Sequence, residues 1–409
     1  MPVRISLMIL FAGLLAPAIY AQDCGENKEA CAANPPGLIF ELGTKGGQKA
    51  FHLGEIIELE ERYSADAPKK YYVLAQPANV EGGYSTKLSI LPDEDLIDRT
   101  TATGRVSAQA ILIANCMGYG ISGGASGVCA DCGGRLMLGR EPIRFPYALN
   151  YRFTIAKPGH YTIAARAGNI VLSNAASEQE KALEVTSKPL EIEILRDENW
   201  ASQQLAQAVS SFEAAKRNYQ LERWDERPVA SLQGDELMRE TKIAKEMNDA
   251  AQVIRFLDTE ESLAQAVRFY DGSLTLAGYA NPFWNAVLES SHRKLAVKLL
   301  ADRMLGEDFL ASEDFVDVLT AMSIQQEQPE VFNRGDDAAR KQLSLRTVEI
   351  LKGYVLGLGK SLAAKEPAAR EAGAKTFEHY AAQKYCSNEA LIETGVAREI
   401  LLRARNAIE

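Results

Sequence analysis

The chain has 409 residues, 45 of them basic and 55 acidic, for a net charge of -10, and 46% of its residues are hydrophobic. An acidic balance of this kind excludes nucleic acid and anionic lipid surfaces as principal partners, since both require a basic face. The hydrophobic share is that of globular domains, and the length suits two or three of them.

The first 21 residues read as an export signal. Arg4 supplies the positive start, Ile5 to Leu15 the apolar stretch, and Ala16-Pro17-Ala18-Ile19-Tyr20-Ala21 a small-residue end with cleavage expected after Ala21. The apolar run is shorter than the roughly 20 residues a span needs, and no later stretch is long and uncharged enough, so no membrane insertion is expected after cleavage. Ala21-Gln22-Asp23 lacks the aliphatic and small residues that precede a lipid-modified cysteine at Cys24. The mature chain is therefore expected outside the cytoplasm, periplasmic or secreted. Without Arg4 its charge is -11; residues 22–196 carry 18 basic and 21 acidic groups, and residues 197–409 carry 26 and 34.

Residues 22–37 form a lead-in containing Cys24 and Cys31, poor in large apolar side chains and closed by Pro35-Pro36. Alternation then begins. Phe51, Leu53, Ile57, Leu59 and Tyr63 share one parity, and short runs follow at Tyr71–Ala75, Leu88–Leu91 and Gln109–Ala114. Phe145, Tyr147, Leu149, Tyr151, Phe153 and Ile155 predict one continuous strand with a single buried face, with Pro146 placing it at an edge or a start. Lys157-Pro158-Gly159-His160 suits a type II turn, and Tyr161, Ile163 and Ala165 would return as a hairpin partner.

The period changes within Lys188–Trp200. Leu190, Ile192 and Ile194 still alternate with Glu191 and Glu193, after which Asp197 and Glu198 open a helical pattern. Helical stripes follow over residues 199–222 (Leu205, Val209, Phe212, Tyr219) and 236–257 (Ile243, Met247, Ala250, Ile254, Leu257). Asp258 with Glu261 predicts the cap of a shorter helix ending at Gly272, and Asn281-Pro282 restarts the chain. Further helices are expected at His292–Leu305, Ser312–Gln325, Ala338–Leu358, Ala368–Lys384 and Glu389–Ile408, with Ser312 as an N-cap above the stripe Phe315, Val318, Leu319 and Met322.

About seven short strands separated by turn residues point to an antiparallel β-sandwich over residues 38–196. There Pro158-Gly159-His160-Tyr161-Thr162-Ile163 resembles the turn and strand near the end of many immunoglobulin-like domains, where a tyrosine sits at a corner. The resemblance implies a binding or spacer module. Residues 197–409 form an all-α array that resembles HEAT-type repeats at Ala250–Asp271 and His292–Met322, with an irregular bundle as the alternative. A solenoid would offer a concave binding surface.

Motifs with chemical content are few. Between Cys116 and Gly134 the sequence offers Gly118-x-Gly120-x-x-Gly123, Gly120-x-Ser122-x-Gly124 and Cys129-x-x-Cys132. The first two need a helix after the loop, to face a pyrophosphate or to strain a nucleophilic serine, and more glycine and cysteine follow instead. A redox pair at Cys129 and Cys132 would also need a helix N-terminus, which Gly133-Gly134 opposes. Zinc on Cys116, Cys129 and Cys132 finds no second CxxC. Six cysteines in an exported chain favour disulfides: Cys24 with Cys31, Cys116 with Cys129 or Cys132, and a third bridge only if Cys386 ties the α half to the β half. Gly353 to Ser361 ends like a phosphate loop but has Tyr354 where the motif needs glycine, so Gly357 and Gly359 read as helix termination or close packing. Glu58, Glu60 and Glu61 read as a solvated strand face, His379 beside Glu378 as a surface pair, and Trp200, Trp224 and Trp284 as core or interface anchors.

With no cofactor motif and no catalytic constellation, the sequence favours a non-enzymatic binding or scaffolding protein of the cell envelope, with a protein or other envelope component as partner. A hydrolase with distributed carboxylates, a metal or redox protein built on the Cys116–Cys132 loop, and a protease inhibitor using the sandwich loops are the alternatives.

Overall fold

The computed structural model describes residues 34–68, 70–74, 86–99, 135–172, 182–222, 224, 232–273, 275–304, 306, 309, 312–327 and individual helical positions between 338 and 359. All six cysteines, the export signal, residues 22–33, the Gly-Cys stretch, the run Gln109–Ala114, His379 and the expected helices 368–384 and 389–408 lie outside the described residues.

The N-terminal region is built of antiparallel sheets. Its strands are β1 (Leu38–Thr44), β2 (Ala50–His52), β3 (Glu58–Ala65), β4 (Tyr71–Leu74), β5 (Thr86–Leu91), β6 (Leu96–Asp98), β7 (Arg135–Met137), β8 (Ile143–Ala148), β9 (Phe153–Ile155), β10 (Gly159–Leu172), β11 (Ala182–Thr186) and β12 (Leu190–Leu195). One sheet has the order β1-β3-β8; in a larger one β10 pairs with β12, β5, β4 and β11, while β2 joins β12 in parallel and β7 joins β4. Leu38, Phe40, Leu59 and Tyr63 from the first sheet and Ile163, Ala165, Val185 and Ile192 from the second bury into one hydrophobic core. Strand periodicity explains this: alternate positions of β3 turn Leu59, Glu61, Tyr63 and Ala65 inward.

Three expectations are corrected here. The run Phe145–Ile155 is not one strand: it breaks into β8, a 3-10 turn at Leu149–Tyr151, and β9, which pairs with β6 rather than with β10. The cause is Asn150, whose Oδ1 accepts from Ile57 N at 2.7 Å and whose Nδ2 donates to Glu55 O at 3.0 Å, fixing a turn where the alternation alone suggests a pleat. The run Phe51–Tyr63 is likewise two strands, divided at Gly54 with φ of 83°. Gly159 enters β10 directly, opposite Ile194, so Lys157–His160 is not a type II hairpin turn; the Tyr161 hydroxyl reaches back to donate to Lys157 O at 2.8 Å.

The C-terminal region is helical: α1 (Glu198–Leu221), α2 (Gly234–Leu257), α3 (Glu260–Phe269), α4 (Pro282–Glu289), α5 (Arg293–Met304) and α6 (Glu313–Glu327). Asp197 caps α1 by accepting from Trp200 N at 3.0 Å, Asn281 caps α4 with Pro282 at its first position, and Ser312 Oγ accepts from Phe315 N at 3.2 Å. Phe212 lies 4.6 Å from Phe269 and 4.9 Å from Phe283, centring a second core. Burying such a ring contributes about 1.5–3 kcal/mol. The cap of α3 is Thr259 in a reciprocal pair with Ser262, not Asp258 with Glu261; Asp258 instead closes α2 in the left-handed region, with φ of 45°. Positions 353, 354, 356, 357 and 359 are helical, which removes any phosphate loop there and places Gly357 and Gly359 within a helix. No described helix is long and apolar enough to cross a membrane.

Candidate functional site

The densest polar chemistry among the described residues lies where the end of α2 meets the β region. The β2–β3 turn comes close enough to α2 that a Cβ on Gly54 would stand 2.8 Å from Leu257 Cα, so this position combines positive φ with backbone contact, and only glycine meets both demands. Beside it, Glu55 accepts from His52 N at 2.7 Å and from Gln48 Nε2 at 3.1 Å, and its Oε2 lies 3.1 Å from His52 Nδ1. The His52 ring stacks on Trp200 at 4.5 Å, joining β2 to α1. Tyr151 meets Phe256 edge-on at 5.4 Å.

Behind this surface is a buried ionic cluster. Arg255, from α2, grips Glu289 at the end of α4 with two bonds, Nε to Oε2 at 3.0 Å and Nη2 to Oε1 at 2.8 Å. Arg99, which follows β6, donates to Glu289 Oε2 through Nη1 and to Thr154 Oγ1 through Nε. The three charged side chains are between 1% and 3% exposed. Both guanidiniums lie over the Phe256 ring, at 5.1 Å and 4.9 Å. Burial pulls the Arg99 guanidinium below the usual arginine range, and Glu289 pushes it back.

Alongside runs a cavity of about 100 Å³, walled by apolar Ile97, Phe153, Ile155 and Phe256 and edged by His52, Glu55, Asn150, Thr154, Asp258 and Ser291. Its volume is that of a few waters. Asp258, Ser290 and His292 meet at this edge and are the residue types of a hydrolytic triad, but their wiring differs from one. Ser290 Oγ donates to Asp258 Oδ1 at 3.0 Å and accepts from His292 N at 3.0 Å, Ser291 N donates to the same carboxylate at 3.2 Å, and His292 Nε2 faces Asp258 O at 3.1 Å. The imidazole does not reach the hydroxyl, and Ser290 is only 2% exposed. These bonds tie the α4–α5 link to the end of α2; they do not activate a nucleophile.

A larger open groove, about 490 Å³, runs between α1 and α2. Gln204, Gln207, Ser211 and Asn218 line its α1 side and Glu246, Asp249 and Val253 its α2 side, over a floor of Ala208, Ala215 and Ala250.

Of the residues singled out from sequence, Trp224 is buried against Tyr219 at 5.5 Å and Trp284 packs on Tyr270 at 6.2 Å, while Trp200 anchors the region boundary. Glu58, 48% exposed, pairs with Lys45 as on a solvated face, whereas Glu60, 13% exposed, lies largely covered against Arg62 and Arg144. Glu61 is 5% exposed and belongs to the core, because its parity on β3 is the inward one. Arg99, Arg255 and Glu289 were not legible as a set; the one local signal is an acid, Glu289, closing the apolar run Phe283–Leu288. Among the described residues no group of three or more His, Cys, Asp or Glu side chains is arranged to hold a metal ion. Comparison with family models, curated proteins and solved structures returned no match to this chain.

Proposed function

We propose that the chain is an exported binding or scaffolding protein in which an immunoglobulin-like β-sandwich, residues 38–196, holds a HEAT-like α-helical array, residues 197–409, at a fixed angle and presents the array's α1–α2 groove to a protein or other envelope component. The observation that carries the reading is the groove itself, an open channel of about 490 Å³ between two helices, its floor residues Ala208, Ala215 and Ala250 belonging to the helical core.

The sandwich is supported by two sheets sharing one core and by the Tyr161 hydroxyl bonded to a carbonyl four residues upstream, the geometry of a tyrosine corner. The array is supported by neighbour-to-neighbour packing: α1 on α2, α2 on α3 and α4, α3 on α5, and α5 on α6. Export rests on the signal read from residues 1–21, and an exported chain is the setting in which its six cysteines would pair.

The test is capture from an envelope extract with the mature chain, residues 22–409, as bait. A partner retained at physiological salt supports the reading. Recovery of none, together with hydrolysis of a glycan, ester or peptide panel by the purified chain, would replace it with the hydrolase alternative.

A further inference from the structure

Within the β region, one acid sits where the two sheets face each other. Glu61 on β3 is 5% exposed, and its Oε2 accepts from the Tyr63 hydroxyl at 2.6 Å and from Thr86 Oγ1 on β5 at 3.1 Å. Tyr147 on β8 also directs its hydroxyl at this carboxyl, and Asn169 on β10 lies beside the same Tyr63 hydroxyl. Glu61 Oε1 and Asn169 Oδ1 are buried and have no donor. The charged groups of β3 on either side, Glu60 and Arg62, are paired with each other on the opposite face, with Arg144 of β8 joining them. Arg152 is engaged with the backbone, donating to Thr86 O at 2.7 Å. Of the other ionic groups on the strands packed here, Lys87 and Glu41 are exposed, and Arg166 pairs with Glu184 at 3.6 Å. The carboxyl is therefore faced by hydroxyls and an amide.

Two acceptors of this cluster, Glu61 Oε1 and Asn169 Oδ1, are buried without a hydrogen bond. A carboxylate here would leave Oε1 charged, buried and bare, which is costly. A proton on that oxygen converts the orphan acceptor into a donor in a neighbourhood that already contains an acceptor in need of one. We propose that Glu61 is a proton-operated latch between the two sheets: the folded protein holds it as a neutral carboxylic acid, and its ionisation lowers the stability of the fold.

Burial acts in the same direction, pushing the Glu61 carboxyl above its ordinary value of 4.5, while the hydroxyls of Tyr63, Thr86 and Tyr147 oppose it. The sign follows. A group whose folded value is raised contributes stability that is complete below the unfolded value and is lost as pH rises through the folded one.

The experiment compares wild type with Glu61→Gln, an isosteric and permanently neutral side chain, by denaturant unfolding from about pH 4 to about pH 9. The ratio of their folding constants is expected to fall by up to tenfold per pH unit above 4.5 until the folded value is passed, then level off. A flat ratio, or one that rises with pH, overturns the latch. Infrared spectra of the folded wild type supply a second readout that does not depend on the variant folding. A buried protonated-carboxyl stretch should persist at a pH above 4.5, where exposed acids have ionised, and should extend to higher pH in Tyr63→Phe, which removes a donor that favours the ion. Absence of that band above 4.5 overturns the proposal equally.

Discussion

Glu289→Ala tests the account of the β–α junction most severely. The substitution leaves the Arg99 and Arg255 guanidiniums, 3% and 1% exposed, without their shared counter-charge. Removing one partner of a buried ion pair costs about 3–5 kcal/mol, because the remaining charge is desolvated and uncompensated. The reverse change, Arg99→Met, should cost clearly less, since Glu289 keeps both bonds to Arg255 and the apolar side chain can still cover Phe256. The exposed Lys245–Asp249 pair sets the lower end of the scale: Lys245→Ala should change stability by no more than about 0.5 kcal/mol. The assay is denaturant unfolding followed by far-ultraviolet circular dichroism and by tryptophan fluorescence, because Trp200 reports on the junction through its stack on His52. A loss below about 1 kcal/mol for Glu289→Ala, or an equal loss for Arg99→Met, would refute the reasoning that the shared acid holds this cluster together.

Gly54→Ala should destabilise by about 1–3 kcal/mol, since it places a side chain on a residue with φ of 83° and drives its Cβ to 2.8 Å from Leu257 Cα; a thermal melt within experimental error of wild type would contradict the close approach. Phe212→Ala should cost about 3–5 kcal/mol in denaturant unfolding, because the ring it removes touches both Phe269 and Phe283. Asp258→Ala removes the acceptor for Ser290 Oγ and Ser291 N and should lower stability without affecting any hydrolytic turnover; a selective loss of activity at unchanged stability would instead make Ser290 a nucleophile. Alkylation of the chain with and without reduction should show its cysteines protected until reduced; ready labelling of Cys129 and Cys132, or bound zinc, would move the function to the Gly-Cys loop.

Periodicity carried the broad architecture. The switch from β to α at Lys188–Trp200 falls between β12 and α1, and the stripe of α6 is buried throughout, whereas Leu205 and Val209 of α1 and Ile243 of α2 are only partly buried and α1 buries Ala208 and Ala215 beside Phe212 and Tyr219. Periodicity failed where a side chain competes with the ladder. Asn150 bonds two backbone groups of the β2–β3 turn and so breaks an alternation that the surrounding aromatics would continue. Asp258 has the composition of a helix cap, yet its neighbour Thr259 takes that place because Asp258 is already engaged by Ser290 and Ser291. The junction was least legible. Arg99 and Glu289 stand 190 positions apart, and nothing local distinguishes an arginine that will be buried from one that will be solvated. Glu61 was misplaced for a related reason, since an acid with Glu58, Glu60 and Arg62 around it looks solvated until the inward parity of β3 is known.

The measurement that bears most directly on the binding role is quantitative capture from envelope extract with the mature chain and with Ser211→Trp and Ala214→Trp, which fill the α1–α2 groove from half-exposed or exposed positions. The account predicts that a partner is retained by the wild type and lost from both variants while their unfolding curves stay unchanged. Equal recovery by all three folded chains would contradict it.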